Sequence, residues 1–352
     1  MRVNFDVTWE EFYKNVQTIL GEGKKVVIWG AGACAARFIS GLGGDNSFVA
    51  YYVDQSETKQ NTMIGSVLVK SPQDLLEDDA VDVVIVATMY SAGILDELKK
   101  AKRQDVLEVY NAFELVYREK QCDYRPLEEH MEEIKEMLAD DLSGEIVEFI
   151  CDHRKTRDMD YSGICQGGQY FVEDIVRADP HAVFVDAGAY HGETIEEFIR
   201  FQKGQFEKVY AFEMDIKNFT ILELKKFDER VKLFNYGLWD EQTTARYQID
   251  DTASSLGAGD MTAQCIPLDK IIGDGNVTFL KMDIEGAEMR ALYGAEQCIK
   301  RCKPQLAICL YHKSGDIYEI TSLIHKWLPD HKLYIRHHST TFVETVLYAV
   351  PE

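Results

Sequence analysis

The chain has 352 residues, 46% of them hydrophobic, and carries a formal net charge of −22 at neutral pH. That length predicts two domains with ordinary apolar cores. The acidity argues against nucleic acid and anionic membrane surfaces as partners, since both repel carboxylates; a small hydroxylated ligand fits better.

No apolar run approaches the roughly 20 residues of a membrane helix. Acids interrupt the opening residues M-R-V-N-F-D-V-T-W-E-E-F, where a signal peptide needs an apolar run. The eight cysteines include no Cys-x-x-Cys. Cys34, Cys265 and Cys309 lie in apolar contexts that predict core positions, and Cys298 and Cys302 stand one helical turn apart. A reduced, cytoplasmic protein is expected.

Thr8-Trp9-Glu10-Glu11 has the capping-box pattern, so a short helix should follow with Phe12, Val16 and Ile19 on one face. Lys24 to Gly30 reads as a strand, running into Gly30-Ala31-Gly32-Ala33-Cys34-Ala35 and a helix. Further strands are expected at Phe48–Val53, ending in Asp54, at Val81–Ala87 and at Val106–Tyr110, with Leu95, Leu98 and Ala101 marking a helix. The result is a Rossmann-like α/β domain of about five strands over residues 1–116. Its Gly-x-Gly-x-x-Ala turn matches a dinucleotide fingerprint in part. No Tyr-x-x-x-Lys pair occurs in the chain, so the catalytic pair of short-chain reductases is missing. Gly30 to Ala35, Gly65-Ser66-Val67, Ser71-Pro72 and Ile85 to Thr88 resemble the amino-terminal domains of sugar acetyltransferases acting on nucleotide-sugars. Gly30, Gly32, Asp54 and Thr88 are therefore candidate nucleotide-binding residues; the alternative is a scaffold or assembly domain.

Residues 117–168 read as a helical connector. Leu127, Met131, Ile134 and Leu138 fall at helical spacing, with Glu128, Glu129, Glu132 and Glu133 on a solvated face. Tyr170, just upstream of the next strand, is a candidate lid and substrate contact.

The stretch Val183 to Thr194, V-F-V-D-A-G-A-Y-H-G-E-T, predicts strand, glycine turn and helix. Its spacing is Asp-x-Gly-x-x-x-Gly. A carboxylate at the strand tip would repel a pyrophosphate and suits a cationic ligand such as S-adenosylmethionine. Glu213 ends the next apolar run, where an acid can hold ribose hydroxyls. Asn235 to Asp240, after the third strand, should bracket an adenine ring. Two more strands end at Asp283 and Tyr311-His312. Lys332–Arg336 and Thr345–Val350 have no helix between them and should pair antiparallel. Five α/β-connected strands closed by an antiparallel hairpin make the seven-stranded sheet of a class I methyltransferase, placed at residues 169–352.

Phe184-Val185-Asp186-Ala187-Gly188, Ala211-Phe212-Glu213 and above all Leu280-Lys281-Met282-Asp283-Ile284-Glu285-Gly286-Ala287-Glu288 resemble the FkbM family of S-adenosylmethionine-dependent methyltransferases. The likeness covers about Tyr170 to Pro351. It implies transfer of a methyl group to a hydroxyl of a sugar or natural product. It also implies donor contacts at Asp186, Gly188, Gly192 and Glu213, with Asn235 and Asp240 flanking adenine. Tyr190, Thr194 and Asp283 complete the candidate donor site.

A hydroxyl needs a base as its oxygen attacks. His312 is the expected base, oriented by Asp283, with Glu285 contacting substrate or capping a helix; Tyr311 and His337 are the remaining substrate candidates. A divalent cation on Asp283, Glu285 and His312 is the rival mechanism, and no metal is expected. Lys281 shares a face with Asp283 and, if buried, needs an acid such as Asp186 or Glu213. Two other functions stay open: a nicotinamide-dependent sugar-nucleotide oxidoreductase using the first glycine turn, and a non-catalytic two-domain binder. Assembly into a homo-oligomer is compatible with each.

Overall fold

The structure, a computed structural model, describes residues 2–4, 9–88, 91–100, 108–113, 123–156, 160–250, 253–256 and 261–352. Thr8, Ala101 and Val106, which entered the expectations above, lie outside them. The chain divides into two compact units, Met1–Lys120 and Gln121–Glu352.

The first unit runs β1 (Arg2–Asn4), α1 (Trp9–Gly21), β2 (Val26–Trp29), α2 (Ala33–Gly41), β3 (Val49–Val53), β4 (Met63–Ile64), β5 (Val67–Lys70), α3 (Pro72–Leu76), β6 (Val83–Val86), α4 (Ser91–Lys100) and β7 (Glu108–Asn111). Its sheet has the order β1-β7-β6-β2-β3-β5-β4, parallel except where β4 meets β5. The central strands, Val-Val-Ile-Trp and Val-Val-Ile-Val, are buried at every position, as strands covered on both faces must be. Phe12 of α1 packs edge-on against Phe38 and Tyr110, at 5.2 and 5.3 Å between centroids. Sequence reading placed about five strands here, and seven stand among the described residues. The additions are short or at the margins, and β5 alternates buried and exposed side chains, so no apolar run marks it.

The second unit contains α5 (Arg125–Glu129), α6 (Met131–Met137), α7 (Asp141–Thr156), β8 (Val183–Ala187), α8 (Glu193–Phe201), β9 (Lys208–Phe212), α9 (Ile216–Leu224), β10 (Val231–Phe234), β11 (Gly237–Leu238), β12 (Thr243–Asp250), β13 (Ala253–Leu256), β14 (Met261–Ile266), α10 (Leu268–Ile272), β15 (Phe279–Met282), α11 (Glu288–Tyr293), α12 (Glu296–Cys302), β16 (Gln305–Cys309), α13 (Asp316–Trp327), β17 (His331–His337) and β18 (Thr345–Pro351). Its main sheet has the order β10-β9-β8-β15-β16-β18-β17. Six strands run one way, and β18 lies antiparallel between β16 and β17, as the missing helical crossover required. Strands β11 to β14 form a separate four-stranded sheet.

Alternate residues of each strand feed opposite cores. Val185, Leu280 and Ile308 face one; Phe184, Phe279 and Cys309 face the other. The helices α5 to α7 cover the first face. Leu127, Ile134, Ile146 and Ile150 share its core with Ile320, Ile324, Leu333 and Ile335. The Ser143 hydroxyl accepts the Ile335 N–H at 3.0 Å and an Arg336 guanidinium hydrogen bond at 2.8 Å, and Arg336 pairs with Asp140. The strand order reverses between β8 and β15, and the crevice outside the carboxyl ends at such a switch point is where open α/β sheets keep their sites. No helix among the described residues is long and apolar enough to cross a membrane.

Candidate functional site

Three strand tips are tied together at that crevice. The Gly188 and Ala189 amides donate to the Phe212 carbonyl at 3.0 and 2.9 Å, and the Asp283 amide to Ala187 at 3.1 Å. Gly188 adopts φ +85°, and a Cβ there would lie 1.9 Å from the Asp283 carbonyl oxygen. Glycine is thus required for strand-to-strand approach as well as for the turn.

Asp186 and Lys281 are register partners on β8 and β15. Asp186 is fully buried and Lys281 is 2% exposed. Their ion pair measures 3.1 Å, and the ammonium also donates to the Gly188 carbonyl at 2.8 Å. This is the structural pair expected for Lys281. It places Asp186 beneath the crevice floor, outside the cavity wall, where its charge balances a buried lysine. Replacing Lys281 with Met should cost about 3–5 kcal/mol, because Asp186 would be left charged without a partner. Chemical denaturation should show that loss, and Asp186→Asn in the same chain should recover much of it.

Above this floor lies a cavity of about 590 Å³. Eight of the expected site residues line it: Tyr170, Gly188, Tyr190, Thr194, Glu213, Asp283, Glu285 and Tyr311. Glu213 sits at the tip of β9, 7% exposed. Its two oxygens accept the Tyr190 and Asp215 amides at 2.9 and 2.8 Å. Burial pushes its carboxyl up to about 7, against the pull of those amides. Asn235 is near but turned aside: its amide donates to the Glu213 and Met214 carbonyls, shaping the loop from which Tyr236, Gly237 and Leu238 reach the cavity. Asp240 faces away and pairs with Arg290. Gly192 opens α8 at φ +90°, and a Cβ there would strike Phe227 and Leu222, so its role is packing.

At the other end Asp283 accepts hydroxyl hydrogen bonds from Tyr170 at 2.8 Å and Tyr311 at 3.0 Å. Burial works against its charge, but the cations Lys281 and His312 and the two phenols hold its carboxyl below the usual range. The same carboxylate and burial raise both tyrosines well above their ordinary value.

His312 was the expected base, and its surroundings give it another state. It lies behind the cavity wall, Nδ1 3.0 Å from Glu288, Nε2 3.4 Å from Glu285 and 3.6 Å from Asp283. Each carboxylate at such a distance favours the imidazolium by about 5 kcal/mol at an effective dielectric of about 20. Together they outweigh burial and raise the ring well above its ordinary pKa. A protonated ring has no lone pair for a second proton. It also supplies the positive charge that a divalent cation would bring to the same carboxylates. His337 lies outside the cavity lining, fully buried, its ring nitrogens engaged by Thr345 at 2.8 Å and the Thr341 carbonyl at 2.7 Å. Burial lowers it to about 4, so it is neutral.

Sequence reading missed Glu344 and Glu288. Glu344 lines the cavity just before β18 and accepts from the Gln169 side chain; burial and the Asp283 charge push it up to about 7. Glu288, 1% exposed, accepts the Ile284 amide at 2.9 Å and braces the turn after Asp283. Neither has a periodic signal. A backbone signal does exist: Tyr170, Tyr190, Glu285 and Glu344, all in the cavity wall, have left-handed φ of +65°, +46°, +58° and +72°. Strain of this kind concentrates where a site fixes side-chain aim.

Glu213 and Glu344 have a thermodynamic consequence. Both are raised from 4.5 to about 7 in the folded protein. The fold therefore binds more protons than the unfolded chain between those values, and this contribution to stability is lost as pH rises through about 7. The ligand-free protein should melt at a lower temperature at pH 8 than at pH 6, with a smaller difference in Glu344→Gln.

In the first unit Gly30, Gly32 and Asp54 come together at one end of the sheet, with Thr88 just past β6. Each of the first three has an internal role. A Cβ on Gly30 would lie 2.4 Å from the Ala87 carbonyl oxygen, and Gly32 caps α2. The Asp54 carboxylate accepts the Ala31 and Ser56 amides, both at 2.9 Å, and pairs with Lys59 at 3.5 Å.

Comparison with known proteins follows the two units. Residues 186–334 match the methyltransferase FkbM domain, and residues 3–110 match the C-methyltransferase C-terminal domain. No curated protein matches the chain. Among solved structures, a methyltransferase FkbM from Methylobacillus flagellatus is 24% identical, covering 96% of this chain and 93% of its own, with a TM-score of 0.70. An rRNA methylase from Streptococcus thermophilus is 16% identical over 50% of this chain and 89% of its own, TM-score 0.34. Aeropyrum pernix fibrillarin with natively bound S-adenosyl-L-methionine is 10% identical over 49% and 67%, TM-score 0.33. The seven-stranded sheet and the domain matched across its crevice agree: the chain is a methyltransferase, with a match to the FkbM domain at residues 186–334.

Proposed function

We propose that the cavity binds S-adenosylmethionine and that the enzyme methylates a hydroxyl of a sugar-like acceptor. The observation that carries the donor is the charge of the lining. Glu193, Glu213, Asp283, Glu285 and Glu344 face the cavity, and the one cation lining it among the described residues, Lys281, is already paired with Asp186. A diphosphate would meet carboxylates wherever it lay, whereas a sulfonium and an ammonium are favoured there. Glu213 is placed to accept the ribose hydroxyls, with Tyr236, Leu238 and Ile284 offering apolar surface to the base. When bound, the donor supplies an activated methyl group; the chain supplies position and the fate of the acceptor proton. Tyr170, Asp283 and Tyr311 form the polar end where an acceptor hydroxyl would be oriented.

The match of residues 3–110 to a C-methyltransferase domain favours a second reading, transfer to carbon. The carbon chemical shift of an isotopically labelled methyl in the product separates the two. Residues Gly30, Gly32, Asp54 and Thr88 remain the proposed nucleotide handle of the first unit, with assembly of copies as its other role. Calorimetry tests the donor. S-adenosylhomocysteine should bind with one site per chain and NAD⁺ should not; the reverse order would overturn the proposal and restore the oxidoreductase reading.

A further inference from the structure

We propose that Glu344 is the residue that takes the proton from the acceptor hydroxyl, an inference that rests on the methyl-transfer reading above. Glu344 lines the same end of the cavity as Tyr170, Asp283 and Tyr311. A carboxylate oxygen of Glu344 lies within 4.8 Å of both an Asp283 oxygen and the Cys309 sulfur. Its backbone is left-handed at φ +72°, and Gln169 donates to one of its oxygens, so its aim is fixed from two sides.

The other acids and bases at this end are committed elsewhere. Asp283 accepts from two phenols and is held ionised by Lys281 and His312, which makes it a weak base. Glu285 faces the His312 imidazolium at 3.4 Å. His312 itself is protonated and behind the wall, and both His337 nitrogens are engaged outside the lining. Glu213 sits at the opposite end, against the Tyr190 amide. Beside Asp283, Glu344 is the carboxyl that lines the cavity without an amide or imidazolium partner committed to both its oxygens, and partial burial with the Asp283 charge holds it poised near neutrality.

The step balances with this one residue. The acceptor oxygen forms its bond to the methyl carbon while the carbon–sulfur bond breaks onto sulfur. The hydroxyl proton passes to the Glu344 carboxylate, so a cation and an anion become neutral together. The charged and titratable groups facing Glu344 are Asp283, Lys281, His312, Cys309, Tyr170 and Tyr311.

Two measurements on the full chain with S-adenosylhomocysteine test this. In infrared difference spectra, wild type minus Glu344→Gln, a protonated carboxyl band should be present at pH 5 and vanish through about pH 7. In labelled methyl transfer to a pool of hexoses, hexosamines and nucleotide-hexoses, Glu344→Gln should lower the rate about 10²–10⁴-fold at saturating donor. A carboxyl ionised from pH 5 upward overturns the assignment, and so does a variant with the wild-type rate. Wild type that binds no S-adenosylhomocysteine instead overturns the underlying methyl-transfer reading.

Discussion

Gly188→Ala should destabilise the second unit by about 2–5 kcal/mol. The new Cβ would stand 1.9 Å from the Asp283 carbonyl oxygen, well inside van der Waals contact, and that neighbour is backbone. Relief requires the tips of β8 and β15 to separate. Separation breaks the bond from the Asp283 amide to Ala187 and loosens the Asp186–Lys281 pair beneath. Overpacking of this kind costs about 1–3 kcal/mol, and the left-handed conformation adds about 1–2 for any side chain. Gly204→Ala isolates the second effect. Gly204 has φ +76° with nothing within 4 Å of a Cβ, so it should lose only the conformational part. Melting curves of the two variants should therefore differ widely. Equal, small losses would mean that the strand tips are not held at this distance.

Replacing Glu213 with Gln should weaken S-adenosylhomocysteine binding about 10–150-fold at pH 8, the equivalent of about 1.5–3 kcal/mol for hydrogen bonds to a charged group. The amide keeps the size of the side chain and one of its two acceptors, so the loss reads the charge together with one backbone N–H left without its carboxylate oxygen. The effect should depend on pH in a defined direction. Burial holds the Glu213 carboxyl at about 7, so below that pH the wild-type group is protonated and resembles the variant. Wild-type affinity should rise through about pH 7 and level off, while that of the variant stays flat. Calorimetry at pH 6 and pH 8 gives both slopes. Affinities that move together with pH would remove Glu213 from the donor site.

The fold of the second unit was legible because each of its signals is local. Apolar runs ending in Asp186, Glu213, Asp283 and Tyr311 fix strands and their tips, and the absence of a helix between Lys332 and Thr345 fixes the closing hairpin. The placement of Lys281 followed from strand alternation alone. The helices α5 to α7 read as a connector because their apolar stripe, Leu127 to Leu138, says only that one face is covered. What covers it, Leu333 and Ile335, lies some two hundred positions away.

The position of a residue was legible where its own strand tip sets it: Gly188, Glu213 and Asp283 all line the cavity. A role was not legible where it depends on which charges gather. His312 has the right chemistry for a base in isolation, but Asp283 and Glu285 of the β15–α11 turn and Glu288 at the start of α11 surround its ring and favour its proton. Asp186 has the right chemistry for a cationic ligand, but Lys281 reaches it first. Glu344 was overlooked because it stands in the loop before the last strand, far in sequence from the residues it joins. The left-handed backbone that marks it is invisible in composition and periodicity.

The most direct test of the donor site is a crystal structure of the protein with S-adenosylhomocysteine. Its ribose hydroxyls should meet the Glu213 carboxylate and its sulfur should point toward Asp283, with Lys281 still paired to Asp186 below. Electron density for the ligand elsewhere, or a dinucleotide lying across the carboxylates of the cavity, would contradict the account.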